Sequence, residues 1–243
     1  MGSDAMKVMN LNERAWKIAD DLASRADELR LAVQTLPSGA RVIDAGIEVH
    51  GGYGAGIGLA ELCMGGLGHI RYAELEIGGA PIAGVEVWTD HPAVSCMASQ
   101  YAGWALTIGK YFAMASGPLR AHARVEKELF EKLGYAETAA RGVLVLEGRT
   151  IPTEEAVALV SQKSSLIPSQ ITFAIAPTAS LAGGVQVVAR ILETGLHKMA
   201  VLGVEVNRVV SGIGTARLPT PENHDRRAHG PTSGHRPPGR PPP

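Results

Sequence analysis

Ile171-Thr172-Phe173-Ala174-Ile175 runs into Ala176-Pro177-Thr178-Ala179-Ser180, then into Leu181-Ala182-Gly183-Gly184-Val185-Gln186-Val187-Val188. The first five residues, apolar but for Thr172 and largely β-branched or aromatic, read as a buried strand. The proline, hydroxyl and small residues after it read as a turn, and the apolar spacing beyond predicts a helix over 181–194. Upstream the same alternation repeats. Residues 142–146 form an apolar strand, and Pro152 with Glu154 and Glu155 opens a helix through 160, the acids suiting its positive N-terminal end. Residues 206–213 end the regular structure. Strand alternating with helix in this way specifies a layered α/β fold.

The N-terminal half is less regular. Leu11, Ala15, Ile18, Leu22, Ala26 and Leu29 recur at three or four residues and predict an amphipathic helix over 10–30. A strand over 42–49 leads into the glycine-rich stretch 51–58, and 71–77 with 82–88 read as a hairpin around Gly78-Gly79. Pro92 opens a mildly apolar stretch read as a helix over 93–114, and a charged helix over 124–133 closes at Gly134.

The chain has 243 residues, 45% hydrophobic and 19% charged, which provides a sizeable core in one large or two small domains. A net charge of -1 argues against a nucleic-acid binder held by phosphate contacts. Two cysteines, Cys63 and Cys96, make no disulfide framework. No apolar run approaches the ~18 residues of a spanning helix, and residues 1–30 lack an apolar export core. The expected protein is soluble and cytoplasmic, with no membrane association.

Familiar motifs fail on spacing. Gly54 and Gly56 would need glycine at 59 for a dinucleotide fingerprint, and that position is Leu59. The stretch from Gly103 to Lys110 has one residue too many for a phosphate loop, and Tyr111 stands where its hydroxyl ligand belongs. A nucleotide-dependent oxidoreductase therefore has no support. No His/Cys cluster has metal-ligand spacing, and His91 before Pro92 reads as a turn residue. Arg190 and Glu193 are more informative. Three residues apart on a helix they share a face, with Gln186 one turn earlier, among apolar neighbours. They are either a surface ion pair or a buried functional pair. Thr178, Ser180 and Gly183-Gly184 at the helix entrance leave room for a ligand to approach.

Ala176-Pro177-Thr178-Ala179-Ser180 through Gln186, with Ala189-Arg190-Ile191-Leu192-Glu193-Thr194-Gly195 and His197-Lys198-Met199, resembles the methenyltetrahydromethanopterin cyclohydrolase family. So do Asn12-Glu13-Arg14-Ala15, Val42-Ile43-Asp44-Ala45-Gly46, Leu62-Cys63-Met64-Gly65-Gly66-Leu67, Thr89-Asp90-His91-Pro92-Ala93, Ala102-Gly103-Trp104 and the run from Tyr111 to Pro118. The motifs occur in family order and cover about residues 10–216. The resemblance implies an α/β subunit of two domains with a pocket between them, assembled as a homotrimer. It implies reversible hydrolysis of the 5,10-methenyl bridge of tetrahydromethanopterin to the 5-formyl compound, without metal or other cofactor. The setting would be one-carbon metabolism, in methanogenesis or methylotrophic formaldehyde oxidation. The family's Arg and Glu fall on Arg190 and Glu193, with Glu193 as base and Arg190 holding it. Ser116, Thr178, Ser180 and Gln186 are expected to bind the pterin or position the water, and Asp90 is the next candidate base.

The resemblance breaks after about Ala216. Residues 219–243 hold eight of the fifteen prolines and three of the eight histidines, carry a charge of +2, and contain no Val, Ile, Leu, Met, Phe, Trp or Tyr. Such a composition buries no core. It is what a GC-rich gene gives when read out of frame, and a frameshift or truncation is expected here. The expected organisation is a cyclohydrolase-like region over 1–218, built of two interleaved α/β subdomains, and a disordered, non-native tail over 219–243. From another class of function, a catalytically impaired pterin-binding or structural remnant is the alternative. Deleting 219–243 is expected to leave the melting temperature within about 2 °C, because substitutions away from packed features cost under ~0.5 kcal/mol. A fall of ten degrees in a thermal melt would show that the tail is structural.

Overall fold

The computed structural model describes residues 9–219, so all of the tail beyond Pro219 lies outside the described residues. In chain order the elements are α1 (Leu11–Ser24), α2 (Ala26–Leu29), β1 (Ala32–Thr35), β2 (Arg41–Asp44) and α3 (Tyr53–Cys63), then β3 (His69–Ile77) and β4 (Ala80–Thr89). A π-helix (Ala93–Gln100) leads to β5 (Trp104–Ile108), β6 (Tyr111–Ser116), α4 (Leu119–Ala123), α5 (Lys127–Leu133), β7 (Gly142–Gly148), α6 (Glu154–Ser164) and β8 (Ile171–Ala176). The last are α7 (Leu181–Val188), α8 (Ile191–Val201) and β9 (Gly212–Arg217). The fold is mixed α/β, as the alternation specified.

Six strands form one sheet in the order β1-β2-β8-β7-β6-β5, and β3-β4-β9 form a second. β8 is the centre of the first, parallel to β2 on one side and to β7 on the other. All six of its residues are buried. A parallel strand covered on both faces reads as a near-continuous apolar run, which is why 171–175 carries no alternation; its one polar side chain, Thr172, accepts from Arg41 Nε at 3.0 Å. On one face α1 and α3 bring Ala15, Leu22, Leu59 and Leu62 against Ile43, Val145 and Ala174. On the other, Val157 and Val160 of α6 meet Leu144, Phe173 and Ile175. In the second sheet Val85 and Val87 share a core with Met97, Val188 and Leu196.

Three sequence expectations are corrected. The strand expected over 42–49 stops at Asp44, because its buried carboxylate accepts the backbone N–H groups of Gly46, Ile47 and Glu48 at 2.9, 2.7 and 2.8 Å and turns the chain. The helix expected over 93–114 is the π-helix followed by the β5–β6 hairpin. Trp104 and Leu106 are buried and Ala105 and Thr107 exposed, a period of two, and Gly109 makes the turn at φ 59°. The helix expected over 181–194 is two helices, α7 and α8, interrupted at Ala189 and Arg190.

The glycine-rich stretch 51–58 mostly enters α3, a helix buried nearly all round. Its glycines set how closely helices approach: a Cβ on Gly56 would lie 2.5 Å from Val185 Cβ of α7. Gly56→Ala is therefore expected to destabilise the protein by about 1–3 kcal/mol through overpacking, with Val185→Ala in the same chain recovering part of the loss. Thermal unfolding of the single and double variants checks this; an unchanged melting temperature in Gly56→Ala contradicts the close contact.

Candidate active site

Glu147, Arg190 and Glu193 meet at the carboxyl end of the central strands. β7 is apolar up to Leu146, and Glu147 then stands beside Ala176 of β8 and Met114 of β6. Ligand sites in open α/β sheets gather at this end, where the strands hand over to loops. From β8 the chain turns through Pro177 to Ser180. Ser180 Oγ accepts from the Gly183 N–H at 3.0 Å and donates to the Pro177 carbonyl at 2.7 Å, capping α7.

α7 ends at Val188. Ala189 is still right-handed helical at ψ −6°, Arg190 leaves that conformation at ψ 8°, and the chain re-enters a helix at Ile191. Gln100 Nε2 donates to the Ala189 carbonyl at 3.2 Å, occupying an acceptor that an unbroken helix would use internally. Arg190 thus occupies the junction between two helices, and its guanidinium reaches back to the sheet. Nε and Nη2 donate to Glu193 Oε2 at 3.2 and 3.0 Å, and Nη1 donates to Glu147 Oε1 at 3.2 Å. The side chains of Arg190, Glu193 and Glu147 are 12%, 6% and 14% exposed. An exposed pair at this spacing contributes under about 0.5 kcal/mol and is helix decoration. A pair withdrawn from water is different: each charge needs the other, and breaking it costs about 3–5 kcal/mol. The pair is therefore buried and not a surface ion pair. Burial by itself lowers the pKa of Arg190, but Glu193 and Glu147 outweigh it and the net shift is upward, so the group stays cationic.

Thr178 and Glu147 both line a cleft of about 340 Å³, with Lys110, Phe112, Met114 and Arg149 among its other walls. Gln186 lies on α7, one turn before the junction, and is buried. Its Nε2 donates to Cys63 Sγ at 3.3 Å. Cys63 Sγ lies 3.3 Å from Ser116 Oγ, and that hydroxyl donates to the Val145 carbonyl at 3.2 Å. Gln186, Cys63 and Ser116 form a buried polar chain in the core. Asp90 is exposed and accepts from Ser211 Oγ at 2.8 Å, and the His91 N–H donates to Thr89 Oγ1 at 3.0 Å, as a turn residue does. Sequence spacing gave no sign of Glu147, whose bond to Arg190 spans 43 residues; the available clue was an acid ending an otherwise apolar strand. Among the described residues no three His, Cys, Asp or Glu side chains are grouped to hold a metal, and no helix is long and apolar enough to cross a membrane.

Residues 10–234 match the family described as Cyclohydrolase (MCH), a match that continues past Ala216 into the proline-rich stretch. The methenyltetrahydromethanopterin cyclohydrolase of Methanococcoides burtonii is 38% identical over 226 residues, covering 93% of this chain and 71% of that protein. The one from Methanosarcina barkeri is also 38% identical, covering 93% and 70%. The one from Methylobacillus flagellatus is 43% identical over 212 residues, covering 87% and 64%.

Burial pushes the Cys63 thiol up and the Cys96 thiol up to about 12, and both are fully enclosed. Thiolate is the reactive form. Both cysteines are therefore expected to resist a thiol reagent at pH 8 in the native protein and to react after denaturation; rapid native labelling of Cys63, counted by mass, contradicts the enclosed polar chain.

Proposed function

The chain belongs to the cyclohydrolase (MCH) family, and from that premise we propose that it hydrolyses the 5,10-methenyl bridge of tetrahydromethanopterin, reversibly, to the 5-formyl compound. The observation that carries this reading is the pairing of Arg190 with Glu193 out of bulk water at a helix junction, bonded through Arg190 to Glu147, which itself lines a cleft.

The methenyl bridge is an amidinium-like cation with an electrophilic carbon. Water attacks that carbon and must lose a proton as the C–O bond forms. Glu193 takes that proton. Arg190 holds Glu193 through Oε2 alone, and Oε1, outside the ion pair, is the oxygen we assign to the water. In the second half of the reaction Glu193 returns the proton to the departing ring nitrogen as the C–N bond breaks, and the hydroxyl proton of the adduct leaves to solvent as the formyl C=O forms. Positioned proton transfer of this kind is worth roughly 10²–10⁴-fold in rate. The negative charge of Glu193 also attracts the substrate cation, but attraction felt equally by substrate and transition state lowers KM without raising kcat.

Thr178, in the cleft wall, is assigned to the pterin. Ser116 and Gln186 serve the substrate from behind, by fixing the core around Cys63, and Ser180 does so by holding the turn that carries Thr178. No step draws on a metal or other cofactor. The family arrangement of two domains with the pocket between them, a cytoplasmic homotrimer acting in one-carbon metabolism, is carried forward as part of this proposal. Exposed Val201, Leu202, Val210 and Ile213 offer apolar surface for such an assembly.

Glu193→Gln keeps the size of the side chain and removes the base. It is expected to lower kcat by at least about 10²-fold with a modest change in KM, read as loss of methenyl absorbance with the spontaneous rate subtracted. Near-normal kcat in this variant would make the pair an ordinary ion pair and move the search for the base to Asp90.

A further inference from the structure

Arg190 is bonded to two carboxylates, and in the proposed reaction only one of them keeps its charge. Glu193 is neutralised each time it takes the proton from water. If it were the sole partner of Arg190, that step would leave a cation bare in a site only 12% exposed, and an unpaired buried charge is costly. Glu147 is placed to prevent this. It holds the opposite side of the guanidinium through Nη1, while both bonds to Glu193 come from Nε and Nη2. It is carried on a central strand, register-locked between β6 and β8, rather than on the helix that carries Glu193.

We infer that Glu147 is a positioning residue of the hydrolysis: the permanent counter-ion of Arg190, which leaves Glu193 free to gain and lose its proton. The inference rests on the assignment of Glu193 as base. The other ionisable groups that feel the charge of Arg190 do not fill this role. Cys63 on α3 and Cys96 on the π-helix are thiols whose burial keeps them protonated, and Arg120 on α4 is a second cation, paired to Glu126 at 2.7 Å. With both carboxylates ionised the cluster of Glu147, Arg190 and Glu193 carries one net negative charge facing a cationic substrate. It becomes neutral as Glu193 takes the proton and the substrate loses its positive charge. At neither stage is Arg190 unpaired.

The test is the pH dependence of kcat in Glu147→Gln. Without the second anion, protonation of Glu193 strands Arg190, so Glu193 holds its negative charge more strongly and becomes a weaker base. The acid limb of the kcat profile is expected to move to lower pH by about one unit, with the plateau reduced about 10-fold. Glu147→Asp keeps the charge and is expected to keep the limb where the unsubstituted protein has it, even where a shortened side chain lowers the plateau. A purely structural role for Glu147 would lower the melting temperature or the plateau and leave the limb in place, and that result overturns the inference. Should the amide variant fail to fold, Glu147→Leu, apolar and of similar bulk, is read in the same way. Glu193→Gln in the same assay separates the two layers. If it abolishes turnover while Glu147→Gln leaves the limb unmoved, only the inference falls; if it turns over normally, the assignment beneath falls as well.

Discussion

A guanidinium shared between two carboxylates, almost out of water, is the constraint on which the rest of the architecture depends. Arg190 in that position needs at least one anionic partner at all times: a buried charge stripped of every counter-ion costs about 3–5 kcal/mol, a large part of the stability of an ordinary domain. The chain therefore has to bring Glu147, 43 residues away in sequence, to the point where Arg190 and Glu193 already lie together. It does so with packed regular elements, a central strand for Glu147 and a helix packed against the second sheet for Glu193.

The helix break is the local price of that arrangement. Stopping α7 at Val188 and restarting at Ile191 places Arg190 at the junction, and Gln100 satisfies the carbonyl that the break exposes. Gln100 itself belongs to the π-helix, the kind of irregular element that recurs at functional sites. Behind this layer the chain Gln186–Cys63–Ser116 ties α7 to α3 and β6, so the helix preceding the break is anchored by polar contacts as well as by the close approach at Gly56.

Much of this was legible in the sequence, and the rest was not for identifiable reasons. The strand 171–175, the turn after it, the hairpin 71–88 and the Arg190–Glu193 pair are all local patterns, and local patterns survive folding. Glu147 was illegible because a contact across 43 residues leaves no periodic trace. The hairpin inside 93–114 was overlooked because small residues blur the distinction between periods: Ala105, Ala113 and Ala115 suit a helix as well as a strand, and the alternation rests on Trp104, Leu106 and Tyr111. The break in α7–α8 carries neither glycine nor proline. It coincides with tertiary bonds to Ala189 and Arg190, which no window of sequence contains.

The central claim is that Arg190 and Glu193 work as one unit on the attacking water. A double-mutant cycle on kcat measures this directly, comparing Arg190→Ala, Glu193→Gln and the two combined under one set of conditions. If the residues act as a unit, the double variant is little slower than Glu193→Gln alone, because the first substitution already removes what the second would. Losses that multiply, each substitution slowing the enzyme by its full factor in the presence of the other, would mean that the two residues act independently and that their bond in the structure is incidental to the reaction.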